Sequence, residues 1–150
     1  MKKLMMILVI GMLVLTGCTS TANEETTLCI IPTEDTEKFE VEMTGSKKNL
    51  SKIVIRAAFT DNRYSEMSED EQKAELDELY VQTEDPEGIV TIYSIDGATL
   101  KSDMTITVKD LVELPDAFAL TGLKSVKDFA NYGTSKLIRD FEAAGATCTQ

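Results

Sequence analysis

The sequence predicts an α+β domain: an antiparallel sheet of four or five strands with helices packed on one face. Three observations lead there. Apolar and polar residues alternate in the stretches 39–43, 50–59 and 98–109, the period of strands with one buried face. An Asp96-Gly97 pair divides two β-rich runs, and a tight hairpin needs positive φ at both such turn residues. Two further stretches, 69–82 and 134–144, carry an apolar stripe at helical spacing.

Taken in order, Thr27–Ile31 is a short β-branched run stopped by Pro32, the pattern of an edge strand carrying Cys29. Thr33–Lys38 is charged and reads as a solvated loop. Its acids Glu34, Asp35 and Glu37 lack the spacing of a calcium loop. Phe39, Val41 and Met43 point one way along the next strand. Thr44–Asn49, with Gly45 and Ser46, is a turn, and Leu50–Phe59 is the return strand. There Ile53, Ile55, Ala57 and Phe59 share a face.

Ser68-Glu69-Asp70-Glu71 is a capping box. The Ser68 hydroxyl accepts the Glu71 amide while the Glu71 carboxylate reaches back to the Ser68 amide. The acids also sit at the positive end of the helix dipole, which explains them without a metal. The helix runs from about Glu69 to Gln82, with Gln72, Leu76, Leu79, Tyr80 and Thr83 on its inner face. Pro86 and Gly88 break it.

Ile89–Ile95 is a strand. After the hairpin, Leu100, Ser102, Met104, Ile106 and Val108 alternate with Lys101, Asp103, Thr105, Thr107 and Lys109. A slip of one residue would expose that whole apolar set. Asp110–Leu114 is expected to form one helical turn before Pro115. Ser125–Ala130 has the length of a short helix. Thr134–Ala144 is the clearer one, striped by Leu137, Ile138 and Phe141 and stopped at Gly145. Ala146–Thr149 then extends, carrying Cys148 back toward the sheet.

The N-terminus is of another kind. Lys2 and Lys3 precede the uncharged run Leu4–Leu15, which has signal-peptide length. A transmembrane helix needs roughly 20 apolar residues. Leu15-Thr16-Gly17-Cys18 resembles the lipobox of bacterial lipoproteins. The resemblance implies cleavage between Gly17 and Cys18, and a diacylglycerol on the Cys18 sulfur. Two or three acyl chains anchor stably where one is marginal. The chain is thereby expected to divide into a signal peptide (1–17), a lipidated cysteine and polar tether (18–26), and one α+β domain (27–150). Its expected place is the cell membrane, lipid-anchored on the extracytoplasmic face, the periplasmic side in a two-membrane host. A secreted protein with free Cys18 is the alternative.

Loss of residues 1–17 removes two lysines and no acid, leaving 13 basic and 26 acidic residues, a net charge of −13. Such a charge repels nucleic acid and anionic headgroups, so no nucleic-acid partner is expected. The chain has no histidine, which removes Ser-His-Asp and Cys-His catalysis and the usual zinc sets. The three cysteines are an odd count. Lipidation of Cys18 leaves Cys29 and Cys148 to pair outside the cytoplasm, the alternative being two buried free thiols.

The lipobox at Cys18, the Asp96-Gly97 turn, the segment 106–115 (ITVKDLVELP) and the final helix ending at Ala144-Gly145 together resemble the YehR-like bacterial lipoproteins. That uncharacterised family has no established activity. The resemblance therefore implies fold and location, and the pairing of Cys29 with Cys148 is not taken from it. The expected role is that of a non-enzymatic binding or envelope-scaffolding module. It has no catalytic residues, no metal and no cofactor. Its partners are the membrane, through the lipid, and an envelope protein or small ligand. The alternatives are a divalent-cation binder and, behind it, a small hydrolase built on two carboxylates.

Overall fold

The computed structural model describes residues 24–32, 38–114 and 124–150. The expected signal peptide with Gly17, the expected lipidation site Cys18, most of the expected tether and the acids Glu34, Asp35 and Glu37 lie outside the described residues. The strands are β1 (Glu25–Ile30), β2 (Lys38–Ser46), β3 (Asn49–Thr60), β4 (Ile89–Asp96), β5 (Thr99–Thr107) and β6 (Thr147–Thr149). The helices are α1 (Asn62–Glu66), α2 (Glu69–Gln82), α3 (Val126–Ala130) and α4 (Thr134–Ala143), with a 3₁₀ turn at Val108–Asp110. The class is α+β, and the antiparallel sheet has six strands in the order β4-β5-β3-β2-β1-β6, not four or five.

The added strand is β6, too short to show a period of its own. It pairs with β1 through Leu28↔Thr149, Cys29↔Cys148 and Ile30↔Thr147. β1 is therefore an interior strand and not the expected edge. The β4–β5 hairpin is also displaced by one residue from expectation. Asp96 pairs with Thr99, so the connecting residues are Gly97 and Ala98, with Gly97 at φ +59°. The helical turn expected over Asp110–Leu114 is a 3₁₀ turn two residues earlier, at Val108–Asp110. α1 had no periodic signal. It is five residues long and capped by Asp61, whose carboxylate accepts the Arg63 N–H at 2.9 Å.

The apolar set predicted for the strands does line one face. Cross-strand register stacks Met43, Ile53 and Ile106 side by side, with Val41, Ile55 and Met104 in the next row. Met43 and Ile106 are fully buried and Ile53 almost so. Each such side chain contributes about 1.5–3 kcal/mol by leaving water. Phe129 of α3, Leu137 of α4 and Leu111 pack into the same cluster. The opposite face carries polar pairs such as Arg56–Glu42 at 3.1 Å, together with exposed Val90 and Ile92.

α2 is joined to the sheet differently. The Ser68–Glu71 capping box forms, with Ser68 N–H on the Glu71 carboxylate at 2.8 Å. The backbone and hydroxyl bonds from Ser68 hold that carboxyl below its usual range. Of the expected inner face, Gln72, Leu76, Leu79 and Thr83 are half-buried while Tyr80 is 43% exposed. No residue of α2 is fully buried.

Its contacts with the sheet fall on the outer edge of β4, whose N–H groups would otherwise be open to a foreign strand. Tyr93 N–H donates to the Tyr80 hydroxyl at 2.9 Å, and Ile89 N–H to Pro86 O at 3.0 Å. Asp85 accepts both the N–H and the hydroxyl of Thr91, a buried residue. Asp85→Ala is expected to cost about 1–3 kcal/mol, the penalty for unsatisfied buried polar groups. It should also promote self-association through the bared edge. Urea denaturation and light scattering read the two effects, and an unchanged denaturation midpoint would contradict this role for Asp85.

Candidate functional site

The sheet's apolar face is covered unevenly. α3 and α4 bury the end near the β2–β3 turn, where Phe129 and Leu137 lie. Toward the other end the strands continue past them. The result is an open groove of about 910 Å³. Its floor comes from alternate residues of three neighbouring strands: Phe39 on β2, Ile55, Ala57 and Phe59 on β3, and Ser102 and Met104 on β5. They lie together because the register sets Phe39 opposite Ala57, and Ala57 opposite Ser102. Phe59 is 40% exposed, a large apolar side chain left on a face that is otherwise core.

The walls are the segment Gln82–Pro86 at the end of α2 and beyond it, and the pair Glu113–Leu114. Three carboxylates stand at this rim. Asp85 is occupied by Thr91. Glu84 and Glu113 make no hydrogen bond or ion pair with any described residue. Thr83 hydroxyl and Tyr93 hydroxyl are 2.8 Å apart, tying this wall to β4. The Tyr80 and Tyr93 rings meet edge to face, with centroids 5.3 Å apart. The chemistry on offer is an apolar trough with a few polar groups at its lip, the usual make-up of a ligand cleft.

Of the residues singled out in the sequence, Gly17 and Cys18 lie outside the described residues. Cys29 and Cys148 come together as a directly opposed cross-strand pair, and their sulfurs are bonded. The bridge closes a separation of 119 residues and lies beside the core, since Cys29 is fully buried. The groove was missed. Alternation places its floor residues on the buried face but does not tell a covered position from an open one.

Among the described residues, the buried polar side chains are Thr27, Thr91 and Thr134, and no carboxylate is buried. No three His, Cys, Asp or Glu side chains among them gather closely enough to hold a metal ion. Asp96, like Glu71, is held below the usual carboxylate range, here by its hydrogen bond from the Lys101 ammonium at 2.7 Å.

No family model matches the sequence, and no curated protein does. Two solved structures share the fold. A protein from Streptococcus pneumoniae TIGR4, determined by NMR, superposes with a TM-score of 0.59 at 16% identity, over 87% of this chain and 88% of that one. The E. coli YehR protein, also an NMR structure, superposes with a TM-score of 0.59 at 12% identity, over 86% of this chain and 93% of that one. At such identities the likeness is one of fold. The overall fold of this chain is thus similar to that of YehR.

Proposed function

We propose that this chain is a YehR-like bacterial lipoprotein, anchored through Cys18 on the extracytoplasmic face of the cell membrane, and that it binds a ligand without catalysing a reaction. The observation that carries the binding role is the open apolar groove over Phe39, Ile55, Ala57 and Met104. A concave, largely apolar cleft with a few polar groups at its lip is the usual form of a ligand site. The ligand is a small apolar molecule or an apolar segment of another envelope protein.

The full chain, titrated with an environment-sensitive apolar dye, should bind it saturably at one site. Ala57→Trp, which fills the floor, should weaken that binding at least about tenfold, a loss of about 1.4 kcal/mol. The circular dichroism spectrum should stay unchanged. Dye binding that ignores the substitution in a folded variant rules out the groove. Mass spectrometry of the mature protein tests the anchor separately. Processing that survives Cys18→Ser rules it out.

A further inference from the structure

The mature chain's net charge of −13 disguises an uneven distribution. Six cations, Lys38, Arg56, Arg63, Lys73, Lys101 and Arg139, pair with carboxylates. Lys52, Lys109, Lys124 and Lys127 make no ion pair among the described residues, and neither do Lys47 and Lys48, which connect β2 to β3. Lys136, near the start of α4, makes none either, its ammonium resting 3.9 Å from the Tyr132 ring centre. Lys47, Lys48 and Lys136 are exposed.

They belong to one end of the molecule because the fold presses their segments together. Thr134 hydroxyl donates to Ser46 O at 3.0 Å. A Cβ placed on Gly133 would stand 2.3 Å from Lys47 O, so α4 begins directly against the β2–β3 turn. The acids Asp61, Glu69, Asp70, Glu71 and Asp96 are associated with the opposite end, where β3 runs into α1 and α2 and where β4 meets β5, while Glu87 and Asp110, before β4 and after β5, fall on the side nearer the β2–β3 turn.

β1 starts at the lysine end too. Glu25 pairs with Gly45, one residue before Ser46. No more than ~25 Å of chain separates Cys18 from Glu25 at full extension. Glu24 and Glu25 lie there as well, so the attraction belongs to the turn and the start of α4, not to the tether.

Resting on the lipid-anchored reading above, we infer that this end of the domain faces the bilayer, with Lys47, Lys48 and Lys136 against anionic phospholipid headgroups. Net repulsion does not forbid it. Charges more than a Debye length away, ~8 Å at physiological salt, are largely screened. What the headgroups meet is the nearest surface, and each lysine near an anionic leaflet adds about 1 kcal/mol of attraction, a factor of about five. The anchor holds the domain close to the bilayer, and the lysines set which end it presents.

The test uses the mature lipidated protein in vesicles of phosphatidylcholine, with or without phosphatidylglycerol. Each lysine's acetylation rate is read by mass spectrometry. Lys47, Lys48 and Lys136 should react about fivefold more slowly on the anionic vesicles, with high salt restoring the rate. Lys73 and Lys101, on the far elements, should not change. In the Lys47→Glu/Lys48→Glu variant, which still floats with the vesicles, Lys136 should lose its protection. Equal rates on both vesicle types in a vesicle-bound protein overturn the orientation and leave the anchor standing. A protein that never floats with vesicles overturns the anchor and the orientation together.

Discussion

Replacing Cys29 and Cys148 together by alanine lowers the unfolding free energy by about 4–5 kcal/mol, the chain-entropy value for a loop of about 100 residues. The bridge spans 119 residues, from the first strand to the last, so opening it frees nearly the whole domain in the unfolded state. The native state changes as well. β6 is three residues long and β1 is its sheet neighbour. Without the covalent tie its backbone hydrogen bonds should exchange quickly, while those of β2, β3 and β5 stay slow. Guanidinium denaturation of the double variant, compared with the oxidised and reduced wild-type chain, gives the free energy. Amide exchange gives the location. A double variant as stable as the oxidised protein would show that the bridge is incidental to the fold.

Phe129→Ala should cost about 3–5 kcal/mol, the range for a large aromatic truncated in a packed core. Phe129 is fully buried against the central strands, yet it stands on α3, a helix of five residues. Such a helix has little stability of its own, because nucleation is unfavourable and few bonds follow it. The Ser125 cap helps, its hydroxyl accepting the Asp128 N–H at 3.1 Å. Packing of the ring is what holds the segment down, so the truncation should loosen α3 and the cover over Met43 and Ile53 together. Phe129→Leu, which keeps most of the volume, should cost much less. Urea denaturation separates the variants, and a loss below about 1 kcal/mol for the alanine would mean that the core collapses around the gap.

The two substitutions mark different degrees of legibility. The cysteine pairing followed from counting: three thiols, one claimed by the lipobox, left two for a bridge. Their register did not follow, because β6 has only Thr147, Cys148 and Thr149. Phe129 lay in a stretch with no clear period and was not marked as core. α2 shows the reverse. Its boundaries, Glu69–Gln82, and its capping box were correctly predicted, since both depend on neighbours three or four residues away. Its burial was overestimated, because the stripe of Leu76, Leu79 and Tyr80 rests on a sheet edge instead of the sheet's middle.

Short-range chemistry therefore determined the strands' inward faces, the cap of α2 and the stop at Gly145. These need only periodicity, turn conformation and side-chain donors close by in the chain. The tertiary structure alone decided that β1 is interior, that Asp85 guards the edge of β4, that Phe129 centres the cover, and that no described helix closes over the face at Ala57. Each of those depends on which distant segment arrives at a given place. Alternation along one strand says which way a side chain points and nothing about what comes to meet it.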